Sequence, residues 1–161
     1  VDRTAQKGDM ARKMLLQQGL PGINGSCQWY ARAVADDRGG YATALRTQYH
    51  TKPTLQPSMP WIDKKAPGKV RKTKIIPTAD GPVLFWTAPK GRKELDVAKN
   101  YAVYRFAQGE RIDISNATHL VGITADTFYP LPAGDVNQKC TYVVTALDRL
   151  QNESKAKKVK L

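Results

Sequence analysis

A chain of 161 residues, 41% hydrophobic and 25% charged, has room for one medium domain or two small ones and is too apolar to stay disordered. No apolar run approaches the roughly 20 residues of a membrane helix, and no basic start leads into an apolar stretch as in a signal peptide. A net charge of +12 admits nucleic acid or an anionic surface as partner. The cations are spread, however: Arg12 and Lys13, Lys64 and Lys65, Lys69 to Lys74, Lys90 to Lys93 and Lys155 to Lys160. None of these runs is interleaved with aromatics as a single-strand groove is, so a solvated basic surface is favoured over nucleic acid.

The chain does not begin with Met, and its first residues already follow a helix-like pattern. It reads as a piece of a longer protein, so the absence of a targeting signal says nothing about where that protein resides. Residues 2–18 carry Ala5, Met10, Met14 and Leu15 at three-to-four spacing, with Ala11 and Leu16 beside them. Asp2 is placed to cap this helix, and Gly19 is placed for a left-handed end. Gly8 weakens its middle by about 1 kcal/mol relative to Ala. After the Leu20-Pro21-Gly22 turn, residues 23–30 are short and end in aromatics, which predicts a strand. A polar loop follows around Asp36, Asp37, Gly39 and Gly40, and Tyr41, Leu45 and Tyr49 predict a helix over 41–49.

Helix, strand, helix is the unit of an α/β fold. One parallel strand cannot stand without neighbours, so residues 1–50 read as the closing unit of a larger α/β domain. Residues 51–68 hold four of the ten prolines and form a semi-rigid strap. Leu55, Met59, Trp61 and Ile62 are too apolar for a free linker.

Residues 69–161 are read as β. Strands are expected at 70–76 (closed by Pro77), 81–88, 100–107, 119–124, 127–129, 139–147 and 154–161. The third and sixth are the clearest. Tyr101, Val103 and Arg105 alternate with Ala102, Tyr104 and Phe106, and Cys140, Tyr142, Val144 and Ala146 alternate with Thr141, Val143, Thr145 and Leu147. Seven short strands in about 95 residues predict a Greek-key sandwich of the immunoglobulin class, and the lysines at 155, 157, 158 and 160 suit an edge strand. Cys27 and Cys140 lie in strand-like runs and are expected to be small buried residues; two cysteines allow one bridge, but nothing in the spacing supports it. Two cysteines and the single His50 and His119 make no zinc site, and no metal or other cofactor is expected.

Ala66-Pro-Gly, Val83-Leu-Phe-Trp86-Thr-Ala-Pro, Tyr101-Ala-Val-Tyr104-Arg, and Tyr142-Val-Val-Thr-Ala-Leu-Asp148 followed by Asn152-Glu-Ser154 resemble a fibronectin type III domain over residues 66–161. The resemblance implies that Trp86, Tyr104 and Tyr142 are core residues; the cell-adhesion tripeptide of that family is absent. Leu20-Pro-Gly-Ile-Asn-Gly-Ser-Cys27, Leu45-Arg-Thr-Gln-Tyr49 and Pro53 to Asp63 resemble the end of the (β/α)8 barrel of bacterial, Bacteroidetes-type, glycoside-hydrolase-like lipoproteins. That resemblance implies that 23–30 is the eighth barrel strand and 41–49 the last helix. It also implies a polysaccharide or oligosaccharide partner held by the barrel, and an extracytoplasmic location, periplasmic or at the cell surface.

Barrel chemistry sits at the C-terminal ends of the strands, which makes Gln28, Trp29 and Tyr30 the candidate substrate contacts. The aromatics there either stack on a sugar or pack against a helix. Glycoside hydrolysis needs two carboxylates roughly 5–10 Å apart on either side of the bond. The adjacent Asp36 and Asp37 are poorly placed for that, so no catalytic residue is expected within this stretch. The triplets Asn24-Gly-Ser, Asn116-Ala-Thr and Asn152-Glu-Ser fit glycosylation sites, but Asn152 and Ser154 suit the turn before the last strand better.

The leading expectation is a non-catalytic C-terminal portion of a secreted carbohydrate-active protein, its sandwich a scaffold or spacer. The alternatives are a sandwich that binds polysaccharide itself through Phe106, Phe128 and Tyr129, and a binder of nucleic acid or another polyanion. Self-association through the incomplete barrel segment is a further expectation.

Overall fold

The computed structural model describes residues 9–160 apart from Asn24, Gln28, Trp29, Arg92 and Gln138. It divides into two compact units, one ending at Thr51 and one beginning at Lys52.

The first unit is helical. Helix α1 spans Asp9–Gln18, α2 Ala31–Ala35 and α3 Tyr41–Ala44, the last continued by a π-type turn over Leu45–Tyr49. The strand expected at 23–30 is not seen among the described residues there, none of which belongs to a ladder; Asn24, Gln28 and Trp29 lie outside them. The physical reason is the one that made the segment look incomplete. A parallel strand needs partners for its N–H and C=O groups on both sides, and the described residues of this unit include no other strand. The stretch expected to be loop instead begins with α2, whose Ala31-Arg-Ala-Val-Ala sequence is rich in the best helix former. The glycine in the left-handed region after α1 is Gly22 (φ 82°), not Gly19.

The apolar stripe of α1 is only partly covered. Met14 is buried, whereas Leu15 and Leu16 are 49% and 68% exposed. Leu20, Ile23 and Tyr30 are exposed as well. Cys27 is exposed, contrary to the expectation of a buried strand residue, because the strand that would have buried it is absent.

The second unit is a mainly β, seven-stranded sandwich. One sheet has the order β1-β2-β5, with β1 Arg71–Thr78, β2 Gly81–Thr87 and β5 Phe128–Pro130. The other has the order β4-β3-β6-β7, with β3 Asn100–Phe106, β4 Leu120–Thr124, β6 Thr141–Leu147 and β7 Lys157–Lys160. All the pairings are antiparallel. This non-sequential strand order is that of a fibronectin type III-like Greek-key sandwich.

Pro77 does not close the first strand as expected; β1 continues to Thr78, with Pro77 opposite Pro82. A proline is tolerated there because β1 is an edge strand and has no second ladder to serve. The last strand is shorter than expected and starts at Lys157.

Between the sheets lie Leu84 and Trp86 of β2, Tyr101 and Val103 of β3, and Tyr142, Val144 and Ala146 of β6. Each fully buried Leu or Val of this kind contributes about 1.5–3 kcal/mol of transfer free energy. Trp86 meets Tyr101 edge-on, their ring centres 5.3 Å apart.

The opposite face of the four-stranded sheet also carries apolar side chains: Ala102, Tyr104, Phe106, Leu120, Val143 and Leu147. The chain covers this face itself. Leu55 of the proline-rich strap and Ile112 and Ile114 of the β3–β4 connection pack against it. The strap is tied down by polar bonds as well: Met59 N–H donates to the Leu150 carbonyl at 3.1 Å, and the Asn152 amide donates to the Asp63 carbonyl at 3.2 Å.

One close approach joins the two sheets at their edges. Gly122 of β4 has no side chain where the ring of Tyr129 lies, and the Tyr129 hydroxyl donates to the Val121 carbonyl at 2.9 Å. A Cβ at position 122 would clash with the hydroxyl end of the Tyr129 ring. Gly122→Ala is therefore expected to expel the ring and lose that bond, lowering stability by about 1–3 kcal/mol. Urea unfolding followed by Tyr129 fluorescence or by circular dichroism measures it; an unchanged midpoint would show that the ring does not depend on the glycine.

Candidate functional site

The end of residues 23–30 and the loop to Asp37 were the expected place for substrate contacts. Gln28 and Trp29 lie outside the described residues. Tyr30 is extended (φ −120°, ψ 161°) and exposed just before α2, with the Arg38 guanidinium 6.0 Å from its ring centre.

The two carboxylates nearby are spoken for. Asp37 accepts from the Thr43 backbone N–H at 2.9 Å and from the Thr43 hydroxyl at 2.7 Å. These bonds, the backbone one first, hold its carboxyl below the usual range. They tie the left-handed turn at Asp37, Gly39 and Gly40 to the first turn of α3. Asp36 faces Arg32 at 3.4 Å and Arg38 at 3.2 Å. Two adjacent carboxylates committed to a helix start and to neighbouring cations do not flank a substrate, so this loop has the geometry of a structural turn.

On the sandwich, three buried polar clusters account for most of the polar side chains that look chemically interesting. Arg105 of β3 and Tyr142 of β6 are cross-strand neighbours, and both reach Asp135 in the 3₁₀ turn Ala133–Asn137. The guanidinium forks onto the two carboxylate oxygens, each at 2.8 Å, and the Tyr142 hydroxyl donates to Oδ2. The arginine, above all, holds the Asp135 carboxyl below its ordinary range, and burial pushes the Tyr142 phenol up. Cys140 is buried beside them, and its Sγ donates to the Asp135 carbonyl at 3.8 Å. Burial, then the Asp135 charge, raises its thiol, so this is an inert cysteine rather than a nucleophile.

The second cluster centres on Glu153, which accepts from the Tyr104 hydroxyl at 2.7 Å and the Thr145 hydroxyl at 2.6 Å. In the third, Asp148 accepts from the backbone N–H groups of Leu150 (2.8 Å) and Asn152 (2.9 Å) and from the Asn152 side chain (2.9 Å). Ser154 Oγ accepts from Ala146 N–H at 2.9 Å. The Asp148-to-Ser154 stretch is thus a turn in which every polar side chain named has a structural partner.

Gln151 inside that turn sits at φ 63°, in the left-handed region. Gln151→Gly is expected to raise stability by about 0.5–1 kcal/mol, since glycine carries no Cβ penalty there. A urea midpoint that falls instead would show that the Gln151 side chain compensates the strain.

The expected core residues Trp86, Tyr104 and Tyr142 are all buried. Of the three aromatics considered for binding, Phe106 is fully buried, Tyr129 is half-buried and bonded to Val121, and Phe128 is exposed. Its partner was not among the expected residues. Phe85 lies opposite Phe128 across β2 and β5, ring centres 6.0 Å apart. The sequence did carry a signal for it: Phe85 has the opposite parity to the buried Leu84 and Trp86.

A separate cleft of about 350 Å³ is lined by Lys65, Ala66, Gly68, Lys90 and Asp96. The Lys65 ammonium stands 2.6 Å from the buried Asp96 carboxylate, which fixes the end of the strap against the loop before β3. Among the described residues no group of His, Cys, Asp or Glu could hold a metal, and no helix is long and apolar enough to cross a membrane.

No protein-family profile matches the chain. Among characterised proteins it is 35% identical over 151 residues to "Glycosyl hydrolase YngK" of Bacillus subtilis (strain 168), which covers 93% of this chain and 29% of that protein. The chain thus spans under a third of its relative. Among solved structures, "Crystal Structure of FN3tt" matches 59% of the chain at 20% identity with a TM-score of 0.41, covering 91% of that structure. A "Fn3-like protein from Clostridium thermocellum" matches 58% of the chain at 20% identity with a TM-score of 0.38, covering 92% of it.

Proposed function

We propose that the chain is a non-catalytic portion of a glycosyl hydrolase, its sandwich a scaffold that carries the proline-rich strap as a fixed extension. The observation that carries this reading is the 35% identity to a glycosyl hydrolase along 93% of the chain. The geometry agrees with it. Asp36 and Asp37 are committed to Arg32, Arg38 and Thr43, and the polar clusters described on the sandwich are structural.

On this reading residues 1–50 are the closing unit of a (β/α)8 barrel. The exposed Leu15, Leu16, Leu20 and Ile23 support that, because a helix with so open an apolar side ordinarily packs on further elements. Residues 51–68 are the strap and 69–161 the support domain. On the same reading Gln28, Trp29 and Tyr30 are the glycan contacts of the completed barrel, and the uncovered apolar side also allows two copies to associate. The extracytoplasmic setting belongs to the same reading.

The test is a release assay for reducing sugars on plant, host and bacterial-wall glycans, run on this chain and on a longer protein with a full barrel. Hydrolysis by the longer protein alone is expected. Hydrolysis by the chain itself would overturn the non-catalytic role, and silence of both would overturn the glycosidase reading.

A further inference from the structure

The two outer faces of the sandwich differ. The face of the four-stranded sheet is covered by the strap and the β3–β4 connection. On the three-stranded sheet, the register places two outward rows side by side: Lys74, Phe85 and Phe128, then Ile76, Val83 and Pro130. Phe85, Ile76 and Val83 are half-buried, whereas Lys74, Phe128 and Pro130 are exposed, Phe128 to 44%. A contiguous apolar patch on a rigid sheet with a cationic end is a feature that calls for an occupant.

The charge around the patch says what kind. Strand β1 carries Arg71, Lys72 and Lys74, with Lys72 turned outward in a bulge at φ 48°. Strand β7, the edge of the other sheet, carries Lys157 and Lys158 and runs beside β1. By register Lys158 shares the outer face of the four-stranded sheet with Val143 and Lys157 the inner side with Val144, so the cations beside the patch are those of β1. The nearest acidic positions in the sequence, Asp80 and Asp126, lie in turns at the ends of the strands rather than within the rows.

We propose that this face binds an acidic polysaccharide, with Phe85 and Phe128 as a platform for the apolar faces of the sugar rings and Lys74 and its neighbours on β1 meeting the anionic substituents. The C–H face of a pyranose packs on an aromatic ring as another apolar surface does, and the two rings lie across one register row, as a chain of sugars requires. The cations at one end of the row supply long-range attraction and set the direction of the polymer. The choice of sugar polymer rests on the glycosyl hydrolase reading; the surface itself does not.

The test uses the full 161-residue chain and polygalacturonate as probe, followed by affinity electrophoresis and calorimetry. Dextran, double-stranded DNA and phosphatidylserine vesicles are run in parallel. Binding to polygalacturonate but not dextran is expected, weakening steeply with salt as counterions are released. Lys74→Glu is expected to lower affinity about tenfold, whereas Lys13→Glu, the same charge change on α1, alters it less than about twofold. Phe128→Ala is expected to lower affinity about fivefold and to leave the salt dependence unchanged. Thermal unfolding checks each variant; where one is unfolded, Lys74→Gln or Phe128→Leu takes its place.

The proposal is overturned if polygalacturonate does not bind at low salt, if Lys13→Glu matters as much as Lys74→Glu, or if Phe128→Ala binds normally. It is also overturned if DNA or the vesicles bind more tightly through the same two residues. Hydrolysis by the longer protein is a separate readout. Its absence alongside polygalacturonate binding would end the glycosidase reading and keep the surface; the converse would do the opposite.

Discussion

Asp148→Ala is expected to lower the stability of the sandwich by about 3–5 kcal/mol. Asp148 is fully buried and accepts three hydrogen bonds, two from backbone N–H groups of the β6–β7 turn and one from the Asn152 amide. Removing the carboxylate leaves those donors in an interior that water does not reach. Each buried donor left unpaired costs about 1–3 kcal/mol. The loss then spreads, because Asn152 also holds the strap through the Asp63 carbonyl, and the strap covers the outer face of the four-stranded sheet through Leu55. A total of about 3–5 kcal/mol is a large share of the roughly 5–15 kcal/mol that an ordinary domain possesses. Asp148→Asn keeps one acceptor oxygen but turns an N–H₂ toward another donor, so an intermediate loss of about 1–2 kcal/mol is expected. Urea unfolding by circular dichroism reads both. A fully stable Asp148→Ala protein would mean that the turn is held by its backbone alone, and that the Asn152 and Ser154 contacts are consequences rather than causes.

How far such a turn can be read in advance depends on the range of its contacts. The β3 and β6 strands were legible because their alternation is local. Tyr101 against Ala102, and Tyr142 against Val143, declare two faces without reference to anything else in the chain. The core roles of Trp86, Tyr104 and Tyr142 came from the resemblance rather than from alternation, which does not say that Tyr142, between the sheets, and Tyr104, on the opposite face, are both buried. Asp148, Asn152 and Ser154 stand close enough in sequence to suggest a turn, although not which N–H groups the carboxylate takes.

Asp135 was not legible at all. It lies in a loop, and the residues that explain it, Arg105 and Tyr142, belong to strands whose pairing has to be known first. Residues 23–30 misled for the opposite reason. Their local pattern suits a strand, but a strand exists only where partners accept its hydrogen bonds, and the described residues of the first unit supply none. The exposed pairing of Phe85 with Phe128 likewise needed the register of β2 with β5, a fact that no window of sequence contains.

Asp135→Ala is expected to cost about 2–4 kcal/mol and to flatten the acid side of the stability profile. The substitution strands the Arg105 guanidinium, partly screened by water, and leaves the Tyr142 hydroxyl buried without its acceptor. The pH dependence follows from the direction of each shift. Arg105, with a smaller contribution from Tyr142, lowers the folded-state value of Asp135 below that of the unfolded chain. Its stabilisation is therefore complete above the unfolded value of about 4 and is lost as pH falls through the lower folded value. Tyr142 and Tyr104 run the other way. Burial first, then Asp135 and Glu153 respectively, raise their phenols above the unfolded value. Their contribution is complete below about pH 10 and is lost as pH rises beyond it.

The protein should thus hold its stability across the neutral range and lose it in two separate arms. Urea unfolding from pH 2 to 11 traces both, and tyrosinate absorbance reports whether the buried phenols, Tyr104 and Tyr142 with Tyr101 and Tyr41, resist ionisation until the fold opens. Asp135→Asn should remove much of the acid arm and leave the alkaline one standing. If Asp135→Asn kept the full acid arm, the proton uptake would belong to other carboxylates, and the Arg105 fork would be a fastening whose strength does not depend on charge.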